Sequence, residues 1–173
     1  MLNKKLIIIL CAVITCLAVI ITICSFKNEH CTSSCVRKKA AVSKLLNEVW
    51  SKGNLQIVDQ LIAPQYTIRH DPGDKWDGQT FDLNTYKERV SMSRQTFPDL
   101  KFYTDDLLCE GNKVAVSWHF TGTLKGNIPG LAATNMPVSV SGLTIYYFAN
   151  NKIIGHSQIV DRLGLMEHMR GKK

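Results

Sequence analysis

KIIGHSQIVDRLGLM, Lys152 to Met166, reads as a strand that runs straight into a short apolar helix. One carboxylate, Asp161, sits at the junction. A carboxylate at the end of a buried strand is costly unless it is paired, solvated or used. An apolar pocket raises an Asp pKa and can turn the group into a general acid or base near neutral pH. The same position also suits a helix N-cap, because Arg162-Leu163-Gly164-Leu165-Met166 follows and Asp is a favoured cap. Residues of one parity along a strand share a face. Ser157, Ile159 and Asp161 therefore share one side, and His156 and Gln158 point the other way.

Working back from this stretch, Ala149-Asn150-Asn151-Lys152 predicts a tight hairpin turn. Strands are expected near 136–149, 113–124 and 100–109. In the second of these, Val114, Val116, Trp118 and Phe120 alternate with Ala115, Ser117, His119 and Thr121, a period of two. Everything before Pro98 reads as mostly helical. Val42, Leu45, Leu46, Val49 and Trp50 recur at helical spacing from about Ala40, and Gly53 ends that helix. Asn54 caps a second helix carrying Ile57, Val58, Leu61 and Ile62, stopped before Pro64. Tyr66 to His70 is a short strand and Asp71 to Gln79 a polar loop. A third helix runs from about Leu83 to Thr96. Helices first and strands later predict an α+β domain.

Residues 6–26 contain no charged side chain. About 20 apolar residues span a bilayer as a helix. The run exceeds an ordinary signal core and no A-x-A cleavage site follows. The expectation is residues 1–26 as a transmembrane anchor, 27–39 as a basic linker, 40–169 as the domain and 170–173 as a basic tail. The chain is then a single-pass membrane protein. The charges flanking the run lean weakly towards a cytoplasmic domain.

The net charge of +7 is uneven: residues 1–39 carry six Lys or Arg against Glu29, and the tail adds three more. The domain between is close to neutral, which argues against nucleic acid as a partner, while the basic flanks suit an anionic membrane surface. Cys109 reads as a buried thiol. Cys31 and Cys35 flank Thr-Ser-Ser and fit a disulfide, a lipid attachment or neither. With His30 they offer three metal ligands and no fourth, so no metal is expected.

Several landmarks recur in the order of a known family: His70-Asp71-Pro72, Phe97-Pro98-Asp99-Leu100, Glu110 to Val116, Thr121-Gly122-Thr123, Gly130-Leu131, and the final Asp-x-Leu-Gly-Leu from Asp161. Over about Ala40 to Met169 the chain resembles the SnoaL-like polyketide cyclase (ester cyclase) family of the nuclear transport factor 2-like superfamily. The resemblance implies a cone-shaped, curved antiparallel sheet wrapped around the N-terminal helices, with an internal pocket. It places the family's acid/base aspartate at Asp161 and suggests His70, Tyr147, Ser157 and His119 as ligand-binding positions. It departs from the family at Ser157, where relatives often carry Trp, and at Ser117, where they often carry Arg.

No nucleophile triad, paired cysteine or metal cluster emerges from the sequence. Cofactor-free proton chemistry on a hydrophobic, polyketide ester-like small molecule is the resulting expectation, as a cyclase or isomerase. The alternative is a membrane-tethered ligand-binding or protein-interaction module without catalysis. The resemblance also implies a homodimer formed through the outer sheet face.

Overall fold

The computed structural model describes residues 33–127 and 132–169. The chain divides into two units, Met1–Val36 and Arg37–Lys173. Among the described residues no helix is long and apolar enough to cross a membrane. The apolar run at 6–26, Cys31 and the Gly130-Leu131 landmark lie outside them.

In the second unit residues 37–44 are helical and continue into Leu45–Ser51, which takes the wider π-helical register; together they form α1. Its face of Val42, Leu45, Leu46, Val49 and Trp50 is buried, as the helical spacing predicts. The helix reaches back past Ala40, and Lys38 is buried there, donating to the carbonyl of Gly111 and to Asn112 Oδ1. At the other end Arg94 donates to the Trp50 and Ser51 carbonyls, which helix geometry leaves without partners. The second helix is shorter than expected: a single 3-10 turn, Leu55–Ile57, leads into α2, Val58–Leu61. The chain is extended from Ile62, because Ile62 pairs with Ile153 across the sheet, and Pro64 lies within that strand.

The strands are β1 (Ile62–His70), β2 (Thr80–Asp82), β3 (Lys101–Glu110), β4 (Lys113–Thr123), β5 (Pro137–Ala149) and β6 (Lys152–Val160). α3 (Leu83–Thr96) follows β2, and α4 (Arg162–Met169) closes the chain. Asp82 caps α3 by accepting from the Thr85 amide at 2.9 Å. The β5–β6 turn carries Asn150 and Asn151 at φ 49° and 61°, the left-handed pair that a two-residue hairpin needs.

The sheet order is β2-β1-β6-β5-β4-β3. It is a curved mixed sheet, not the purely antiparallel one expected, because β1 and β6 run parallel. These two strands meet only after the rest of the sheet has been laid down between them in sequence. No hairpin constrains their direction. The core lies between the inner sheet face and α1 and α3, where Trp50, Tyr66, Tyr86, Phe102 and Trp118 pack edge-to-face at 4.8–6.2 Å. Cys109 is disulfide-bonded, not the free thiol expected, and Cys35 is disulfide-bonded as well. A half-buried cysteine on an alternating strand carries no sequence mark that separates the two states.

Candidate functional site

β1 and β6 end side by side, and their irregularities build the site. The β1–β6 register shifts between Ile68 and His70. Such a shift turns the next side chain to the opposite face. His70 is therefore exposed and Asp71 fully buried. On β6 the pairing with β5 slips between Tyr147 and Phe148, and both Ile153 and His156 face inward. Gly155 makes this possible by close approach: a Cβ there would stand 2.2 Å from the Thr67 carbonyl oxygen.

Asp71 is the hub. Arg162 donates to its Oδ1 at 2.7 Å, while Gln158 at 2.5 Å and Arg89 at 3.4 Å donate to its Oδ2. Arg89 also reaches Asp74 at 2.8 Å. Burial pushes the Asp71 carboxyl up, but His156, Arg162 and Gln158 together outweigh it and hold the group below its ordinary value. Thr144 donates to Gln158 at 3.1 Å and in turn accepts from the Trp118 indole at 2.7 Å.

His156 stands beside this hub. Its Nδ1 lies 2.6 Å from the Tyr66 hydroxyl, and its Nε2 lies 3.8 Å from Asp71 Oδ2, beyond hydrogen-bond length. Burial pushes the imidazole below 6.5, with the Asp71 carboxylate pulling the other way. Burial likewise pushes the Tyr66 hydroxyl well up and Tyr86 up to about 12, so both keep their protons. A cavity of about 120 Å³ opens against these groups, between α1, α3 and the inner face of the sheet. Arg89, Gln158 and His156 line it beside aromatic walls. Among the described residues, His156 Nε2 and Arg89 Nε are the buried side-chain nitrogens without a hydrogen-bond partner. Each such group is costly unless a ligand or solvent satisfies it.

The residues singled out in the sequence lie elsewhere. Asp161 does not line the cavity; it is exposed and caps α4, with Oδ1 accepting from the Gly164 amide at 2.8 Å. Its carboxylate fills the space where a Gly164 Cβ would stand, 2.2 Å from Oδ2, which accounts for the glycine in the Asp-x-Leu-Gly-Leu motif. Tyr147, Ser157 and His119 occupy the outer face of the sheet. Tyr147 lies 3.3 Å from Ser157 Oγ, beneath the Arg69 guanidinium. His119 stacks on Tyr103 and pairs with Asp105 at 2.8 Å. The parity reading on β6 holds, but the inward face is the one that carries His156 and Gln158. Asp71 was legible only as the neighbour of His70 in a landmark. Arg89, on the buried side of α3 with Tyr86 and Val90, gives no sequence signal that separates it from a surface arginine.

The family model for SnoaL-like polyketide cyclases matches residues 40–169. The chain belongs to the SnoaL-like polyketide cyclase family. Among solved structures, a candidate polyketide cyclase from Acidithiobacillus ferrooxidans is similar at 42% identity and TM-score 0.73, over 79% of this chain and 96% of that one. A candidate SnoaL-like polyketide cyclase from Jannaschia sp. CCS1 (19% identity, TM-score 0.67, 78% of this chain and 92% of that one) shares the fold. So does IdmH, a candidate polyketide cyclase from Streptomyces antibioticus (23%, TM-score 0.65, 78% and 98%). No curated protein matches the chain. Membership of the SnoaL-like family supports a function of cyclase or isomerase type.

Proposed function

We propose that this SnoaL-like domain is a cofactor-free proton-transfer enzyme whose acid/base group is His156, backed by Asp71, acting on a hydrophobic carbonyl compound. The observation that carries the reading is the buried, unpartnered His156 Nε2 in the wall of the cavity, 3.8 Å from a fully buried carboxylate. In the base form Nδ1–H donates to the Tyr66 oxygen and Nε2 presents its lone pair. A C–H next to the substrate carbonyl gives its proton to Nε2. The imidazolium formed there is stabilised by Asp71, and the enolate oxygen accepts from Arg89 Nε–H. Return of the proton to a different atom, or after a new C–C bond has formed, gives isomerisation or aldol ring closure. The carbonyl acidifies the neighbouring C–H, and a positioned base with a hydrogen-bond donor to the enolate oxygen supplies further catalysis.

The test follows deuterium uptake from D2O at the α-carbon of cyclohexanone or acetophenone by proton NMR. His156→Asn should lose about 10²–10⁴-fold in rate, the usual contribution of a general base. Tyr66→Phe should lose less, because it frees the ring without removing it. Equal exchange in wild type and His156→Asn would sink the proposal. Asp161, the position suggested by resemblance, would lead if Asp161→Asn alone abolished exchange. Ligand binding with no exchange in any variant would leave the binding-module alternative.

The same reading includes a tether through Leu6–Phe26 and a homodimer through the outer sheet face, where Leu143 and Ile159 are half exposed. The full chain should stay in the membrane pellet after carbonate washing. Light scattering should give twice the monomer mass, and Leu143→Glu should halve it.

A further inference from the structure

We infer that the Gln158 side-chain amide is a second hydrogen-bond donor to the substrate oxygen, fixed in that orientation by Trp118 and Thr144. This deepens the proton-transfer reading and rests on its assignment of the cavity as the site.

The orientation of the amide follows from counting hydrogens. An indole nitrogen can only donate, and a threonine hydroxyl has one hydrogen to give. Trp118 Nε1–H donates to the buried Thr144 Oγ1 at 2.7 Å. The Thr144 hydrogen passes on to the Gln158 amide at 3.1 Å and meets its oxygen. The amide nitrogen is left to face Asp71 Oδ2, at 2.5 Å. A flipped amide would set its oxygen against a carboxylate held in its ionised form, two acceptors with no hydrogen between them. Both ends of the side chain thus demand the same orientation.

The nitrogen carries two hydrogens, and Asp71 takes one. The other has no acceptor among the described residues, and Gln158 lines the cavity. Three cavity-lining groups converge on one atom: Gln158 Nε2, Arg89 Nη2 and His156 Nε2 lie 2.5, 3.4 and 3.8 Å from Asp71 Oδ2. A carbonyl compound that presents its α-hydrogen to His156 can bring its oxygen to both donors, the Arg89 Nε–H and the remaining Gln158 N–H. Two donors on one oxygen hold the enolate better than the ketone it comes from, because negative charge develops there only as the proton leaves.

Deuterium exchange on acetophenone and infrared spectra of the bound ketone, both with the full chain, test this. Gln158→Met keeps the bulk and removes the donor. It should lower kcat about 10²–10³-fold, the usual loss for one oxyanion donor. KM should change little, and the acid limb of the rate should stay where wild type has it. A role exercised only through Asp71 and His156 would move that limb and overturn the inference. The carbonyl stretch of bound acetophenone should lie lower in wild type than in Gln158→Met. An equal stretch, or no bound carbonyl band in wild type, overturns the inference as well. Thr144→Val leaves Gln158 and Asp71 in place but frees the amide to turn. It should lose exchange about tenfold, as for one hydrogen bond, and Thr144→Ser should recover most of that loss. Where Gln158→Met does not fold, equal exchange in these two variants overturns the inference. A lowered stretch without exchange in any protein, wild type included, would refute the acid–base reading alone. Exchange that falls in His156→Asn and not in Gln158→Met would refute the donor and leave the base standing.

Discussion

Asp71 and Asp161 each follow directly on the end of a strand, and the two strands, β1 and β6, are parallel neighbours. Chemically the residues are identical, yet their surroundings differ in nearly every respect. Asp71 is fully buried and accepts from two arginines and a glutamine. Asp161 is exposed and accepts from the backbone of the helix it begins. The register shift before Asp71 turns its side chain to the inner face, where it meets His156. Asp161 follows an unbroken alternation and points outward with Ile159. Strand register thus decides which of two strand-end carboxylates joins the buried hub beside His156.

The sharpest way to break the contrast is Asp71→Asn. Removing one partner of a buried ion pair costs about 3–5 kcal/mol, and here it takes the carboxylate from Arg162 and leaves the buried Arg89 with Asp74 alone. Urea unfolding should show a loss of that size, a large share of a domain's total stability. The variant should also lose α-proton exchange. An unchanged midpoint would mean that Asp71 is not the hub.

Gly155→Ala attacks the same hub through the backbone. The added methyl meets the Thr67 carbonyl, so β6 must shift away from β1 and carry His156 with it. A loss of about 1–3 kcal/mol is expected, as for overpacking elsewhere, together with reduced exchange. Intact stability would place the bulge elsewhere.

Acid sharpens the comparison without mutation. His156 is held below 6.5, so the unfolded chain takes up that proton first. The associated stability is whole above pH 6.5 and is lost as pH falls towards the folded value. Asp71 is held below 3.8 and adds a second loss at lower pH. His156→Asn should remove the first loss and reduce the second, which Arg162 and Gln158 still sustain. The acid limb of the exchange rate should fall below pH 6.5. A limb above that value would mean a different base.

The smallest effects belong to Asp161. Asp161→Asn should change neither stability nor exchange measurably, because Asn caps as well as Asp. Asp161→Ala should cost roughly 1 kcal/mol through the lost cap. Gly164→Ala should behave similarly, by displacing the capping carboxylate. Thermal melts of the three check this, and a strong loss of exchange in Asp161→Asn alone would invert the contrast.

The sequence carried the regular parts of this picture and missed where regularity breaks. The alternation of Val114, Val116 and Trp118, the Asn150-Asn151 turn and the bounds of α3 follow from local pattern, which one stretch of chain contains. The mixed sheet does not, because β1 has no local feature that selects its partner or direction. The face of Asp71 depends on a one-residue slip that only pairing with β6 imposes, and the resemblance singled out His70 instead. Asp161 drew attention because its cap and pocket readings share one residue pattern. Arg89 looked like any helical arginine until Asp71 and Asp74 were placed beside it.

The Arg162–Asp71 contact spans 91 residues. Translation proceeds at about 5–20 residues per second, so a ribosome needs roughly 5–20 s to travel from one to the other. Through that interval β1 has emerged with its hairpin mate β2 but without its inner neighbour, and Asp71 has no Arg162 to neutralise it. The hub therefore cannot close until α4 begins to emerge. Chains that stop before Lys152 would lack β6 as well as Arg162, leaving the inner edge of β1 unpaired beside a carboxylate short of one of its two arginines, the kind of exposed edge that makes a partly folded chain prone to aggregate.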